Sequence, residues 1–345
     1  MDTPRRSTTF VVERSSDVGR RVDVVVARSA SVSRRTVRLL ARQGALFIDG
    51  QPAAAATRVC LGQRIELACR KPAIPVPEPT VLAHSDGLVY VYKPAGMHTH
   101  TLRPDDVPAL SDCVAIRFPE CALASHDSRE GGAVHRLDRD TTGVVAFARN
   151  RSVWERARQA LSSGLVTKLY LAVVDADRGW PPPAPANNLP GGFRIATEPA
   201  EIGYEPAILR EIENATGRTP AGCLVDVRAP LGRGSARDRV AVRVDGAPAR
   251  TLVQPLTRDT REPLRKGVTL LLARLITGHR HQARVHLAWM GIPVFGDARY
   301  GSATPEPRLM LHAFLLDFSR ALPEERPVTA APPIDVLALV DADAR

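Results

Sequence analysis

Residues 135–143, HRLDRDTTG, set one carboxylate, Asp138, between Arg136 and Arg139, with His135 ahead and a Thr-Thr-Gly turn behind. Two nearby guanidinium groups favour the ionised carboxylate and hold it ready as a nucleophile. Asp140 competes for the same role. The plainer reading of nine such residues alone is a surface loop of alternating charge. The imidazoles raise a different chemistry. His279, His281 and His286, with His98, His100, His126 and His312, are numerous enough to suggest a metal-dependent hydrolase. Their H-x-H and H-x4-H spacings lack a helical pair such as HExxH, which makes this the weaker reading.

Other motifs follow in a fixed order over residues 85–320: YKPAGMHTH (92–100), HRLDRDTTG, KLYLAVV (168–174), LITGHRHQARVH (275–286), GIPVFGDARYG (291–301) and LMLHAFLLDF (309–318). The set resembles the RluA type of ribosomal large-subunit pseudouridine synthases. That family's patterns are K-P-x-G, H-R-L-D followed by T-S-G, K-x-Y-x-A-x-V, and L-x-T-G-R-x-H-Q-[IL]-R-x-H. Thr142 stands where the family has Ser, His279 where it has the Arg of T-G-R, and Ala283 where it has a bulkier apolar residue.

The resemblance implies a catalytic role for Asp138, an active-site aromatic at Tyr170, and an Arg284 that pairs with Asp138, orienting it by bidentate contact. Asp138 would attack the sugar or the base, or assist elimination at the sugar. Tyr170 would stack on the flipped base, and its hydroxyl is a candidate to take the C5 proton. Arg136, His135 and Lys93 are candidate phosphate or backbone contacts, Gln282 a further substrate contact, and Arg280 a substitute for the absent Arg at 279. The reaction needs neither a metal nor a redox step, so no cofactor is expected.

Elements must position these groups. Residues 10–70 read as a compact unit: a helix in VGRRVDVVVARSA, a second over about 34–43 ending at Gly44, a strand in ALFIDGQPA turning at Asp49-Gly50, and a strand in GQRIELAC. This order resembles the αL-type RNA-binding module of a ribosomal small-subunit protein. Arg34, Arg35, Arg38 and Arg42 fall at helical spacings and would grip phosphates; the competing reading is a solvated helix face. Residues 1–9 read as a polar tail. RKPAIPVPEPT carries four prolines, so 71–80 is expected to be an extended linker. From 81 to 325, short apolar runs (GLVYVYKP, GVVAFA, LYLAVV, CLVDVRAP, RVAVRVDG, VTLLLARLI) read as strands of a large, mostly antiparallel sheet, and SVWERARQALSSG (152–164) as a helix. The fold class expected is α+β: a small αL-type module, then a mostly antiparallel-sheet pseudouridine synthase domain. Residues 174–222 read as an insertion, and those after about 325 as a trailing loop and short tail.

Composition agrees with an RNA partner. The net charge is +10 over 345 residues, and 43 of the 47 basic residues are Arg, whose planar fork suits phosphate and stacks on bases. Residues 1–80 hold 13 Arg and one Lys against seven acids. A basic segment concentrated at one end is an electrostatic footprint for nucleic acid. Ribosomal RNA is the leading expectation and transfer RNA the alternative; a non-catalytic RNA-binding or ribosome-assembly protein is the third reading. Five Cys without metal spacing, no apolar leader and no membrane-length apolar run point to a cytoplasmic protein, expected as a monomer without membrane contact.

Overall fold

A computed structural model describes residues 8–29, 34–42, 44, 46–67, 79–100, 108–127, 129–175, 180–183, 185, 193–195, 204–236, 239–258, 267–301 and 308–342. The chain forms two compact units. One comprises residues 1–89, 97–136 and 146–155, the other residues 90–96, 137–145 and 156–345.

In the first unit, β1 (Thr8–Val11), α1 (Val22–Ser29), α2 (Arg34–Arg42), β2 (Leu46–Ile48), β3 (Gln51–Pro52) and β4 (Arg64–Leu67) build the N-terminal module. Its sheet runs β1-β4-β2-β3. The hairpin turns at Asp49 and Gly50, both at positive φ (51° and 78°), the backbone that the Asp-Gly pair supplies. Val22, Val25 and Val26 of α1 and Val37 of α2 pack on Leu46, Ile48, Val59 and Ile65. β1 corrects the polar-tail reading of residues 8 and 9, because it pairs antiparallel with β4, from Thr8 opposite Leu67 to Val11 opposite Arg64. Most of the expected linker, residues 71–78, lies outside the described residues, as does much of 174–222.

Next come β5 (Thr80–His84), β6 (Leu88–Lys93), α3 (Leu110–Arg117), α4 (Cys121–Ala124), β7 (Thr142–Ala148) and α5 (Arg151–Ser162). The remaining elements belong to the second unit: β8 (Thr167–Asp175), β9 (Phe193–Ile195), α6 (Pro206–Thr216), β10 (Thr219–Pro220), β11 (Val225–Arg228), β12 (Leu231–Arg233), β13 (Val240–Val242), β14 (Arg250–Thr257), β15 (Val268–Leu275), α7 (Gln282–Trp289), β16 (Leu311–Asp317), β17 (Val328–Thr329) and α8 (Ile334–Ala342).

The main sheet has the order β6-β7-β16-β8-β15-β14-β11-β9. Of the pairings described within it, only β16 with β7 is parallel. Every residue of β7 and β16 is buried, which is why β7 reads as a continuous apolar run rather than an alternating one. Five of the six apolar runs lie in strands of this sheet. The sixth, RVAVRVDG, supplies β13, which pairs with β12 in a separate hairpin. The expected helix is α5. The C-terminal tail reading is corrected by α8, whose Val336 and Val340, one turn apart, are buried.

A row across the sheet makes room for chemistry. Gly143 of β7 lies opposite Ala313 of β16, Ala313 opposite Tyr170 of β8, and Tyr170 opposite Ala273 of β15. Small residues thus flank the one large ring. Gly143 has φ 119°, and a Cβ there would fall 2.1 Å from the Ala313 carbonyl oxygen, so the last residue of the Thr-Thr-Gly turn must be glycine.

Candidate active site

Asp138 sits in the turn that leads into β7; its carbonyl accepts the Thr141 N–H at 3.2 Å. Its side chain is 17 % exposed. Arg284, on the first turn of α7, donates from Nη1 to Asp138 Oδ2 at 2.9 Å. The opposite edge of the same guanidinium grips Asp297, Nε to Oδ2 at 2.7 Å and Nη2 to Oδ1 at 2.8 Å. The bidentate pairing expected with Asp138 is therefore made with Asp297, and among the described residues the Asp138 carboxylate takes a single hydrogen bond. Asp297 is fully buried and also accepts the N–H groups of Arg299 and Tyr300. Burial alone would lower the Arg284 pKa; the two carboxylates outweigh it and hold the guanidinium firmly charged.

Asp138 Oδ1 faces His281 Nε2 at 3.7 Å. His281 Nδ1 lies 2.7 Å from the Tyr300 hydroxyl, whose oxygen also accepts the Val240 N–H at 3.2 Å. The Tyr300 ring lies beneath Arg284, 5.1 Å from Cζ to centroid. Burial, opposed by Asp138 and reinforced by Arg284, Arg280 and Arg299, pulls the His281 pKa down to about 4. Asp297 and Tyr300 had no role assigned from the sequence, although both stand in the GDARYG motif. His281 had been weighed only as a metal ligand. Among the described residues no three His, Cys, Asp or Glu side chains converge as a metal-ligand set.

Tyr170 is 9 % exposed on β8. Burial first and the Asp138 charge second raise the pKa of its hydroxyl, so the phenol stays protonated at neutral pH.

Three expected substrate contacts have other uses. Lys93 is fully buried, and its ammonium donates to the carbonyls of Pro94 at 2.9 Å and Arg139 at 2.8 Å. It ties β6 to the residue after Asp138 from inside. Burial, partly offset by Asp140 and Asp138, lowers its pKa to about 7. Gln282 is 2 % exposed. Its Oε1 accepts from Thr277 Oγ1 and the His279 N–H, and its Nε2 donates to the Arg250 carbonyl and Thr251 Oγ1. That fills the amide's capacity and anchors the start of α7. His135 Nε2 accepts the Ala146 N–H at 3.2 Å. Arg136 and Arg280 are exposed.

The departures from the family pattern also have local explanations. His279 Nε2 bonds the Pro248 carbonyl at 2.8 Å. Thr142 keeps the hydroxyl of the family's Ser, and its Oγ1 lies 2.8 Å from His312 Nδ1, whose Nε2 meets the Ala330 carbonyl at 2.9 Å.

In the N-terminal module, Arg34 and Arg38 bond Asp23, at 3.4 and 2.7 Å. Arg42 is exposed, and the Arg35 side chain lies outside the described residues.

Residues 87–289, more than half of the chain, match the family model for RNA pseudouridylate synthase. The chain belongs to the RNA pseudouridylate synthase family. Residues 20–65 match the S4 domain, the module built from α1, α2 and their sheet. The relatives of this synthase include an uncharacterized RNA pseudouridine synthase of Chloroflexus aurantiacus, 29% identical over 81% of this chain and 75% of its own length. A ribosomal large subunit pseudouridine synthase D of Nitrosomonas europaea is 29% identical over 76% of this chain and 64% of its own. The corresponding synthase D of Xanthomonas campestris is 29% identical over 85% and 78%. Among solved structures, human RNA pseudouridylate synthase domain containing 4 overlays with a TM-score of 0.48 at 19% identity, over 76% of this chain and 92% of its own. The synthase is an RNA isomerase with an S4 RNA-binding domain, and no helix among its described residues is long and apolar enough to cross a membrane.

Proposed function

We propose that this synthase isomerises specific uridines of large-subunit ribosomal RNA, with Asp138 as the catalytic carboxylate. The observation that carries the reading is the arrangement around Asp138: Arg284, clamped by Asp297, holds Oδ2 and leaves Oδ1 without a guanidinium. A carboxylate whose side chain takes one hydrogen bond among the described residues still has a lone pair on Oδ1 for the sugar or base.

In the reaction the C1′–N1 bond breaks, the uracil turns, and a C1′–C5 bond forms. C5 gives up its proton and N1 gains one, so the atoms balance without a redox partner. The target uridine must first leave its stack, at a cost of a few kcal/mol that is least in loops. Tyr170 offers its ring as a platform for the freed base. Its protonated hydroxyl is a poor base by itself, so its part in removing the C5 proton would be to relay it rather than to hold it. Arg136 and Arg280, both exposed, remain for the RNA backbone.

The ribosomal substrate rests on the names of the relatives and on the S4 domain; transfer RNA is the alternative. The synthase would act in the cytoplasm as a monomer. Pseudouridine mapping of total RNA, with and without the gene and with Asp138→Ala as the rescue control, tests the reading. Loss of one or a few large-subunit sites, restored by wild type and not by the variant, is the expected result. A site lost from transfer RNA instead moves the substrate. No lost site in any RNA removes the catalytic reading.

A further inference from the structure

Asp138 has two oxygens in different surroundings. Oδ2 takes the Arg284 hydrogen bond, while Oδ1 faces an imidazole nitrogen. What that nitrogen presents depends on its far side. The Tyr300 oxygen already accepts the Val240 N–H. Had His281 carried its proton on Nδ1, the Tyr300 oxygen would receive two N–H groups and its own hydrogen would lack an acceptor among the described residues. A bare Nε2 lone pair would then face the Asp138 charge. With the proton on Nε2, Tyr300 donates to Nδ1 and an N–H points at Oδ1, so every group is matched. Burial and three neighbouring guanidiniums disfavour protonating both nitrogens.

Tyr300 also touches the other partner of Asp138, since its ring lies beneath Arg284. The hairpin of β12 and β13 supplies the fixed end. Leu231, Val240, Val242 and Tyr300 share one apolar cluster with Val285 of α7. The chain of contacts runs from the hairpin backbone through Tyr300 and His281 to the carboxylate.

We propose that Tyr300 is a positioning residue that fixes His281 as a neutral donor from Nε2, and that His281 closes on Asp138 Oδ1 when substrate is bound, setting the rotation of the reacting carboxylate. The separation is 3.7 Å, and hydrogen bonds of this kind commonly tighten in a substrate complex. The proposal rests on the assignment of Asp138 made above.

The test uses the full chain and three variants. His281→Gln returns an N–H donor near the position of Nε2. His281→Leu fills space without a donor. Both replace a residue at φ 57° with an unbranched Cβ, so the backbone penalty is shared. Tyr300→Phe keeps the ring beneath Arg284 and removes the hydroxyl. Nitrogen-15 spectra of the histidine-labelled protein, with His281 assigned by its loss in His281→Gln, are expected to show Nε2 protonated and Nδ1 bare, and the opposite form rising in Tyr300→Phe. Single-turnover rates are read on ribosomal RNA from cells lacking the gene. His281→Leu is expected to slow the step about 10–100-fold, the usual range for an outer hydrogen-bond partner. His281→Gln should recover most of that, with RNA affinity unchanged in all three. Protonated Nδ1 in wild type, equal rates for Gln and Leu, or no change of tautomer in Tyr300→Phe would overturn the proposal. If wild type converts no RNA, the catalytic assignment fails instead, and the spectra alone decide the state of His281.

Discussion

Two ion-pair clusters in this molecule are built in opposite proportions. In the S4 domain one buried carboxylate, Asp23, gathers three guanidiniums. Arg21 reaches both oxygens at 3.1 and 3.2 Å, Arg38 bonds Oδ2 at 2.7 Å and Arg34 at 3.4 Å. In the synthase domain one guanidinium, Arg284, gathers two carboxylates, Asp297 and Asp138. The first cluster has surplus positive charge, and its three arginines keep 41–49% of their side chains exposed. The second has surplus negative charge, and its least buried member is Asp138. The chemistry of the pairs is the same; under the function proposed above, the proportion would decide whether a cluster offers cations to phosphates or a carboxylate to a sugar and base.

The largest expected effect comes from removing the charge that the second cluster offers. Asp138→Asn keeps the shape and should abolish turnover while RNA binding, read by filter retention, survives. Loss of both together would mean that Asp138 mainly holds the fold and that the comparison fails.

Next comes the clamp. Asp297→Asn leaves the buried edge of Arg284 with half its partner, and breaking a buried pair costs about 3–5 kcal/mol. The urea midpoint should fall accordingly, and turnover should fall further than stability explains, because Arg284 is then free to turn and pair with both oxygens of Asp138. Unchanged turnover at a lowered midpoint would reduce Asp297 to a structural tie.

Acid should act on the synthase domain through its histidines. Burial pulls His281, His286 and His312 down to about 4. Each is unprotonated when folded and titrates near 6.5 when unfolded, so the unfolded state binds more protons between those values. Stability contributed by the neutral rings is present above about pH 6.5 and is lost as pH falls toward 4. At about 1.4 kcal/mol per proton per pH unit, three such groups give a slope on the order of 4 kcal/mol per pH unit. Urea midpoints of the full chain across this range measure it; a flat profile would mean that these rings titrate alike folded and unfolded.

What the sequence disclosed depended on how far apart the partners are. Asp138, Tyr170 and Arg284 were singled out because each stands in a short motif, and the contact between Asp138 and Arg284 is present. Continuous apolar runs disclosed β7, β8 and β15 because strands buried on both faces carry no polar alternation. Lys93 and Gln282, expected as substrate contacts, spend part of their hydrogen bonding on Arg139, Arg250 and Thr251, 31 or more residues away, and no local pattern records such a partner. β1 was hidden in the same way, since β4 lies more than fifty residues on. β14 carries Pro255, which argues against a strand until its neighbours are known. Tyr300 and His281 were printed in motifs, but their relation appears only once the hairpin N–H of Val240 claims the hydroxyl oxygen.

The smallest effect tests the first cluster, and it separates alignment from charge. If Arg38 meets a phosphate, Arg38→Ala should lower the slope of log affinity against log salt by about 0.7–0.9 and leave the sites modified unchanged. Asp23→Asn is the sharper variant. It adds one unit of positive charge, so a simple count of charge expects tighter RNA binding. But burial, which by itself would raise the Asp23 pKa, is outweighed by Arg21, Arg38 and Arg34, which hold it below the usual carboxylate range. The carboxylate is therefore what keeps the three long side chains in one place, and ordering each costs up to about 2 kcal/mol of rotamer entropy. Without it that cost moves to the binding step. Weaker binding at every salt concentration, despite the added charge, is expected of a prealigned cluster; tighter binding would show that the cluster acts through net charge alone and that its proportion, rather than its geometry, is what the RNA reads.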